Sequence, residues 1–309
     1  MPAEPAVQLE GVSKSYGSIA ALTKLSCTIE AGEMFGLIGP DGAGKTTTIR
    51  LICGLLRADA GRLRVLGIDP VVDHRRLTDS VGYFSQRFSL YGDLSIDENI
   101  AFFAEIHGIR DYRARRDRLL ELTQLAPFRG RLASQLSGGM KQKLALACTL
   151  VHEPRLILLD EPTTGVDPIS RREFWKLLSE FLAQGITIVM STPYLDEAER
   201  CGRVALLDRG VLLALDTPAA LRATLGGTLL EVLTSDHRRA AELLRGSAAA
   251  VDVQMFGERV HVRLRPDVRD PAAVVASTLA GAGVDVTSVR QVPPSLEDVY
   301  IARLEETRS

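Results

Sequence analysis

Short apolar runs alternate with longer segments of helical periodicity along roughly the first 225 residues of the chain. Four runs predict buried strands: MFGLIG (34–39), VGYFSQ (81–86), LILLD (156–160) and ITIVMS (186–191). Three of them are nearly continuous in apolar residues, as parallel strands covered on both faces tend to be. Helical patterns follow Lys45 and Ser137. The alternation predicts an α/β fold with a mostly parallel sheet.

Two earlier segments, VQLEGV and KLSCTIE, alternate in polarity and predict antiparallel strands. The pattern changes at Gly226–Gly227, where a glycine pair indicates a break. The elements predicted beyond it are strand, helix, strand, strand, helix and strand, at 228–235, 236–246, 250–256, 259–265, 271–281 and 284–292. This βαββαβ order is that of a ferredoxin-like unit, and a last helix follows Pro294.

We therefore expect two domains. The first, over 1–225, is an α/β domain with a helical subdomain at about 87–153. The second, over 226–309, is a small α+β accessory domain. A chain of 309 residues is long enough for both.

Composition and charge exclude some classes of protein. Charged residues make up 25% of the chain and apolar residues 46%, which is ordinary globular usage. The net charge is −2, so no bulk basic field argues for a nucleic-acid partner. The basic cluster RDYRARRDR (110–118) is interpreted as the solvated face of a helix. A contact with lipid headgroups or a membrane partner is the alternative.

The cysteines and the apolar runs indicate a cytoplasmic protein. Cys27, Cys53, Cys148 and Cys201 are far apart and lack metal-ligand spacing, so we interpret them as buried apolar residues in a reducing compartment. No apolar run reaches the ~18 residues that a membrane span needs. The N-terminus lacks a signal-peptide pattern. We expect the chain itself to be soluble.

The segment GPDGAGKTT (39–47) matches the phosphate-loop pattern G-x-x-x-x-G-K-[ST] between a strand and a helix. Its glycines let backbone N–H groups turn toward phosphate oxygens, and the helix N-terminus adds partial positive charge. Lys45 would reach the β- and γ-phosphates, and the Thr46 hydroxyl would bind Mg²⁺. The candidate nucleotide-binding residues are Gly39, Pro40, Asp41, Gly42, Ala43, Gly44, Lys45, Thr46 and Thr47.

Two carboxylates end the buried run LILLD at the edge where open α/β sheets bind ligands. Asp160 suits the coordination shell of Mg²⁺. Glu161 could activate a water molecule for attack on the γ-phosphate. The alternative is a carboxylate pair that only caps a turn.

The segment LSGGMKQ (136–142) adds the family resemblance. Together with GPDGAGKTT, LILLDEP and Gln86 of VGYFSQ, it makes residues 6 to about 225 resemble the nucleotide-binding subunit of an ABC transporter. The resemblance implies a P-loop NTPase (RecA-like) core with an antiparallel β subdomain and a helical signature subdomain. It also implies ATP and Mg²⁺ as ligands.

The signature residues Ser137, Gly138 and Gly139 open a helix, with Ser137 as its N-cap, and offer N–H groups to an anion. In the family two subunits pack head to tail, and the signature of one completes the phosphate site of the other. The resemblance therefore implies a second ATP-binding subunit as partner, with homo- and heterodimer both open. A plain helix cap is the alternative.

Three further positions take roles from the resemblance. Tyr16 stands where the family stacks an aromatic ring on adenine. Gln86 resembles the glutamine that touches Mg²⁺ and the attacking water, and it precedes a segment (87–100) that faces the permease. Asp167 resembles the aspartate that signals across the dimer. Alternatives are a packed tyrosine for Tyr16, turn chemistry for Gln86 and a helix N-cap for Asp167.

Two positions depart from the family pattern. Asp41 replaces the asparagine common inside the loop, and we expect its carboxylate to point outward. Pro193 follows Ser191-Thr192 where the family usually has a histidine that contacts the γ-phosphate. Proline offers no hydrogen bond from its side chain or its nitrogen, although it suits the first turn of the helix YLDEAERC.

Pro193 leaves two interpretations of the site. One is a slowed or degenerate hydrolytic site that still binds ATP and depends on a complete partner subunit. The other is a working ATPase in which Glu161, with Lys45 and Gln86, carries the reaction. We favour slow but real hydrolysis, because every other motif is present.

The C-terminal segment PPSLEDVYI (293–301) resembles the end of drug- and antibiotic-exporter ATPases whose permease is a separate polypeptide. That branch implies a peripheral protein on the cytoplasmic face of the membrane, with an integral membrane permease as partner. The rival classes are a soluble regulatory ABC ATPase and an ATP-loaded scaffold that does not turn over.

Overall fold

The computed structural model describes residues 4–86 and 90–308. Contacts divide the chain into two units, Met1–Thr217 and Pro218–Ser309. The predicted boundary at 225 differs from this division, because Pro218–Ala223 packs on the C-terminal helix Leu296–Arg308. Arg303 Nη2 donates to Thr224 Oγ1 at 3.1 Å, which joins the two segments within the second unit.

The first unit has nine strands and seven α-helices among its described residues. The strands are β1 (Val7–Tyr16), β2 (Ile19–Ile29), β3 (Met34–Ile38), β4 (Ala60–Val65), β5 (Val81–Phe84), β6 (Leu156–Asp160), β7 (Thr187–Thr192), β8 (Arg203–Asp208) and β9 (Val211–Asp216). The helices are α1 (Lys45–Ile52), α2 (His74–Thr78), α3 (Ile96–Ile106), α4 (Arg113–Leu122), α5 (Gly138–Leu150), α6 (Pro168–Ala183) and α7 (Leu195–Ala198).

Six strands form the main sheet in the order β5-β6-β7-β3-β8-β9. All neighbours are parallel except β8 and β9. Every residue of β3, β6 and β7 is buried, which explains their continuous apolar sequences. The α/β prediction is confirmed. The carboxyl ends of β3, β6 and β7 lie side by side at one sheet edge, where the site is built.

A second, antiparallel sheet of three strands has the order β2-β1-β4. The antiparallel pairing predicted for the two first strands is confirmed, with Val7 opposite Ile29 and Tyr16 opposite Ile19. Leu9, Val12 and Leu25 point into a core shared with β3 and α1 and are at most 2% exposed. This packing holds the start of α1 against β2.

Helices α3, α4 and α5 supply the predicted helical part of the unit. Helix α3 begins with a capping box, in which Ser95 Oγ accepts from the Glu98 N–H and Glu98 accepts from the Ser95 N–H. Asn99 donates to the carbonyls of Tyr91 and Leu94 and fixes the turn before the helix. Residues 87–89 of the segment expected to face a permease lie outside the described residues.

The second unit is a four-stranded antiparallel sheet with helices. Its elements are α8 (Pro218–Ala223), β10 (Thr228–Thr234), α9 (His237–Arg245), β11 (Ala250–Phe256), β12 (Arg259–Leu264), α10 (Pro271–Gly281), β13 (Val286–Gln291) and α11 (Leu296–Arg308). The strand order is β11-β12-β10-β13. Val232, Val260 and Val262 pack with Leu244 of α9 and Leu279 of α10 in a separate core. The unit therefore has a hydrophobic core of its own.

Candidate functional site

The phosphate loop connects β3 to α1, and its glycines are required by the local backbone. Gly42 and Gly44 have φ of 81° and 101°, and Gly44 is the N-cap of α1. A Cβ on Gly44 would lie 2.7 Å from the Ala21 carbonyl oxygen, and one on Gly39 would lie 2.3 Å from that of Leu207. The loop therefore turns tightly and packs directly against neighbouring backbone, which leaves no room for a side chain at Gly39 or Gly44.

Lys45, the first residue of α1, is 4% exposed and reaches back across the loop. Its Nζ donates to the carbonyls of Gly39 at 2.8 Å and Pro40 at 3.0 Å. It also lies 3.2 Å from Glu161 Oε1. The loop thus holds an ammonium group beside its own backbone, where an incoming phosphate would compete for it.

Asp160 lies at the end of β6 and is almost completely buried. Its Oδ1 accepts from Thr46 Oγ1 at 3.0 Å and from Ser191 Oγ at 2.7 Å. Its Oδ2 is buried and has no hydrogen-bond partner among the described residues. Burial raises the pKa of this carboxyl, against the hydrogen bonds from Ser191 and Thr46.

The pair of Thr46 hydroxyl and Asp160 carboxylate fits Mg²⁺. This ion prefers oxygen ligands and is usually held by one or two carboxylates together with substrate phosphates. The unpartnered Oδ2 offers a free carboxylate oxygen beside the phosphate loop. No cluster of three or more His, Cys, Asp or Glu side chains that could hold a metal exists among residues 4–86 and 90–308.

Glu161 stands on a left-handed backbone, with φ of 50°. Its N–H donates to Ser191 Oγ at 3.0 Å, which anchors the turn to β7. Its Oε2 accepts from Gln86 Nε2 at 3.0 Å and from Thr164 Oγ1 at 3.4 Å. A non-glycine residue in this conformation is strained and persists where its surroundings hold it, as they do here.

The structure thus brings five predicted residues together: Lys45, Thr46, Gln86, Asp160 and Glu161. Two neighbours were missed at the sequence level, Ser191 and Thr164. Ser191 is the register partner of Asp160 in the sheet. A polar residue at the end of the otherwise apolar run ITIVMS was the signal that could have identified it.

A cavity of about 410 Å³ opens over this group. In the described part of the chain it is lined by Asp41–Thr47, Gln86 and Glu161, with Ile19, Ala20 and Ala21 of β2. Asp41 is exposed. Tyr16 lies outside this lining, 45% exposed at the end of β1 opposite Ile19.

The signature residues also lie outside that lining. Ser137 caps α5, and its Oγ accepts from the Met140 N–H at 3.3 Å. Gly138 is exposed, whereas a Cβ on Gly139 would lie 2.3 Å from Ser170 Oγ. The cap geometry matches the prediction, and the signature does not line the cavity of its own phosphate loop.

Asp167 is the N-cap of α6. Its Oδ1 accepts from the N–H groups of Ile169 and Ser170, both at 3.0 Å. The hydrogen bonds from Ser170 lower the pKa of this exposed carboxyl. Within this chain, Asp167 therefore acts as a helix N-cap, which was the alternative interpretation of this residue.

Pro193 follows β7, but its predicted place in the first turn of a helix is wrong. Helix α7 begins at Leu195 with Tyr194 as its N-cap, so Pro193 precedes the helix. The Tyr194 N–H donates to Thr192 Oγ1 at 3.1 Å instead of starting a helical turn at the proline.

Predictions about other residues are confirmed in part. All four cysteines are buried and free, and burial raises the pKa of the Cys27 thiol to about 12. The basic cluster is only partly solvated, because Arg115 and Arg116 are half-buried and paired with Glu153 and Asp97. Across the described chain, every helix is too short or too polar to span a membrane.

Fold and site together define a phosphate-loop nucleoside triphosphatase. The sequence profile of the ABC transporter family matches residues 22–164. Over 96% of its length the chain is 41% identical to the probable multidrug ABC transporter ATP-binding protein YbhF of Escherichia coli K12, of which it covers 51%. It is also 35% identical to the daunorubicin resistance ATP-binding protein DrrA3 of Streptomyces coeruleorubidus, over 97% of the chain and 96% of that protein.

A solved structure gives the same result. The chain resembles the dimeric post-hydrolysis structure of the ATP-binding cassette MJ0796 bound to ADP and Pi, with a TM-score of 0.61 and 29% identity. That match covers 68% of this chain and 98% of the other. The chain therefore belongs to the ABC transporter family and carries an ABC ATPase domain. It spans about half the length of the Escherichia coli relative.

Proposed function

We propose that this chain binds and hydrolyses MgATP as the ATP-binding subunit of an exporter. The observation that supports this proposal most directly is that Lys45, Thr46, Gln86, Asp160 and Glu161 meet at the phosphate loop. Lys45 and Gln86 contact Glu161 at 3.2 and 3.0 Å, and Thr46 contacts Asp160 at 3.0 Å. These are the groups that phosphoryl transfer needs for positioning and charge neutralisation.

Lys45 and the loop N–H groups bind the phosphates. ATP binding draws Lys45 away from Glu161, since a polyphosphate is the stronger partner for one ammonium group. Thr46, Asp160 and Gln86 would hold Mg²⁺, which would supply positive charge against the phosphates. Tyr16, exposed at the end of β1 opposite Ile19, stacks on the adenine ring.

Glu161 acts as the general base toward the attacking water. Its separation from Lys45 leaves the carboxylate bonded to Gln86, which orients it and contacts the water. Pro193 has no N–H and no side-chain donor to offer the γ-phosphate, so hydrolysis is slow but real. The base, the loop lysine and the metal ligands do not depend on the missing imidazole.

A second copy or a related subunit completes the site. Ser137, Gly138 and Gly139 present a capped helix end that does not line the cavity of their own chain. In a head-to-tail dimer the same groups bind the γ-phosphate in the partner's site. Asp167, exposed at the start of α6, lies at the contact between the two subunits.

The transported compound crosses through a separate membrane permease. The names of two relatives, a probable multidrug ABC transporter ATP-binding protein and a daunorubicin resistance ATP-binding protein, support export as the direction. The chain is then peripheral on the cytoplasmic face, and the segment 87–100 contacts the permease. No nucleic acid is involved.

The second unit is proposed to be a ferredoxin-like accessory domain, beginning near 218–226. Its βαββαβ order and its strand order β11-β12-β10-β13 support that assignment.

A second candidate function is an ATP-loaded scaffold paired with a catalytic ATPase. Pro193 is the observation that favours it. Such a subunit would bind ATP tightly and release no phosphate of its own.

The experiment is ATP-dependent association of the Glu161→Gln variant, measured by light scattering during size-exclusion chromatography. We expect monomers without nucleotide and dimers with MgATP. Ser137→Arg, added to Glu161→Gln, should prevent the dimer while leaving ATP binding intact. Dimers that form equally without ATP, or that survive Ser137→Arg, would contradict the head-to-tail site.

A further inference from the structure

A buried carboxylate joins the two segments that flank the reaction site. Glu197 of α7 is 1% exposed. Its Oε1 accepts from Thr163 Oγ1 at 2.6 Å, and its Oε2 accepts from Thr192 Oγ1 at 2.7 Å. Both threonines are 1% exposed, so water does not compete for either hydrogen bond.

The two threonines belong to different parts of the site. Thr163 follows Glu161 by two residues, in a turn closed by the Thr164 N–H, which donates to the Glu161 carbonyl at 3.3 Å. Thr192 ends β7 and directly precedes Pro193. One carboxylate therefore fixes the distance between the segment that carries the base and the segment that carries the proline.

Arg171 of α6 provides the opposite charge. Its Nε lies 3.6 Å from Glu197 Oε1, and its guanidinium stacks 4.9 Å from the Tyr194 ring centroid. The Tyr194 N–H donates to Thr192 Oγ1, so the residues on both sides of Pro193 are held. Pro193 adds a fixed φ and no unsatisfied N–H to this segment.

Stability alone is a weak reason to bury this carboxylate. Desolvation of an ion pair often exceeds its Coulombic gain, and an apolar substitute is frequently as stable. A buried charge does give directional, charge-assisted hydrogen bonds that hold two chain segments in one geometry. Catalytic groups lose rate steeply when they are misplaced by about 1 Å.

We propose that Glu197 is a positioning residue for ATP hydrolysis. Through its hydrogen bonds to Thr163 and Thr192, it keeps Glu161 and residues 192–194 in a fixed relative position. This inference rests on the proposed role of Glu161 as the base. The buried hydrogen bonds of Glu197 then hold the base in place, which a histidine side chain at position 193 would otherwise help to do.

The test compares steady-state phosphate release by the full chain with Glu197→Ala, Glu197→Gln, Thr163→Val and Thr192→Val. We expect Glu197→Ala to lower kcat about tenfold while KM for MgATP changes less than about twofold. Glu197→Gln should restore part of the rate, because one hydroxyl keeps an acceptor. Asp196→Asn, on the same helix and exposed, is the matched control and should retain the wild-type rate.

Two further readouts separate positioning from general destabilisation. Hydrogen exchange should accelerate in peptides covering 161–166 and 192–195 and not in β3. The variant that combines Glu197→Ala with Glu161→Gln should still form dimers with MgATP, because the network positions the base and leaves the nucleotide-binding groups in place. If Glu197→Ala does not fold, the two threonine variants and Glu197→Gln decide the question.

The possible failures are distinguishable. An unchanged kcat in the Glu197 and threonine variants, or faster exchange without loss of kcat, would overturn the positioning role. Full turnover by Glu161→Gln would instead contradict the proposed role of Glu161 and leave the Glu197 network without a base to position.

Discussion

Lys45 and Glu161 form an ion pair, with Nζ 3.2 Å from Oε1. Both side chains are buried, so the pair is weakly screened. An incoming triphosphate must break this pair to reach the lysine, and it also meets the negative charge of the carboxylate. The base and the phosphate-binding lysine therefore compete within one site.

Glu161→Gln should tighten ATP binding as well as stop hydrolysis. Removing the carboxylate charge releases Lys45 for the phosphates, and we expect the Kd for ATP to fall by roughly fivefold. Isothermal titration without Mg²⁺ measures this, with Asp196→Asn as control. Equal or weaker binding by Glu161→Gln would show that the lysine pair does not oppose nucleotide binding.

Asp160 is a buried carboxylate with an unpartnered oxygen and a raised pKa. In the absence of Mg²⁺ its ionised form opposes folding, since the raised pKa means that ionisation is costlier in the folded chain. Asp160→Asn should therefore leave the nucleotide-free protein as stable as the wild type, or raise its Tm. The variant should lose the additional Tm increase that Mg²⁺ gives over ATP alone. Thermal unfolding with ATP, with and without Mg²⁺, measures both effects, and a large Tm loss in the free variant would contradict the argument.

The sequence was sufficient to predict the site residues that stand at a fixed spacing within one motif. Lys45 and Thr46 follow the loop glycines, and Asp160 ends an apolar run. Ser191 and Glu197 were not predicted, because their roles depend on which strands and turns become neighbours. Sheet register, which places Ser191 opposite Asp160, is absent from local sequence pattern.

The phosphate loop packs between strand β2 and the turn that connects β8 to β9. Gly44 and Gly42 both have positive φ, but their surroundings differ. A Cβ on Gly44 would lie 2.7 Å from both the Ala21 carbonyl oxygen and a methyl of Leu22, whereas one on Gly42 would meet nothing within 4 Å.

Gly44→Ala should consequently cost about 2–4 kcal/mol of unfolding free energy, from backbone strain plus overpacking. Gly42→Ala should cost only the strain, about 1–2 kcal/mol. Urea unfolding of the two variants measures the difference. Equal losses would mean that the loop moves away from β2 freely.

His261 connects the last helix to the sheet of the second unit. Its Nδ1 lies 3.1 Å from Asp298 Oδ1 on α11, and its Nε2 lies 3.6 Å from Glu231 Oε2 on β10. Arg259 and Arg290 also face Glu231, at 3.1 Å and 2.7 Å. The hydrogen bond to Asp298 is the main cause that raises the pKa of His261.

Protonated His261 should stabilise the second unit at low pH. Its folded pKa exceeds the unfolded value of about 6.5, so the contribution is complete below that pH and is lost as pH rises through the folded pKa. His261→Gln should lower the urea midpoint at pH 5.5 and change it little at pH 8.5. A larger effect at pH 8.5 would reverse the sign of this linkage.

The presence of a strand or helix was easier to predict than the residues at which it begins and ends. Strands β3, β6 and β7 follow directly from the apolar pattern, since burial on both faces leaves little ambiguity. The contact division at Thr217–Pro218 precedes the predicted boundary at 225, because α8 packs on α11, a contact between segments far apart in sequence. Helix α7 begins at Leu195, one residue later than its pattern indicated, because the Tyr194 N–H donates to Thr192 Oγ1 and Tyr194 is the N-cap.

At the scale of the whole molecule, the chain holds one phosphate loop and one signature that does not line the cavity of that loop. In the proposed dimer, a second subunit supplies the signature that completes this site. The chain covers about half the length of a relative that is 41% identical to it.

The most direct test of the account is steady-state phosphate release by the purified protein with MgATP, beside Glu161→Gln and Pro193→His. We expect slow release by the wild type, none by Glu161→Gln, and release by Pro193→His that is at least as fast as the wild type. This result would establish a working ATPase whose base functions without the histidine. No release by the wild type, with activity gained in Pro193→His, would contradict the account and show that the proline disables the site.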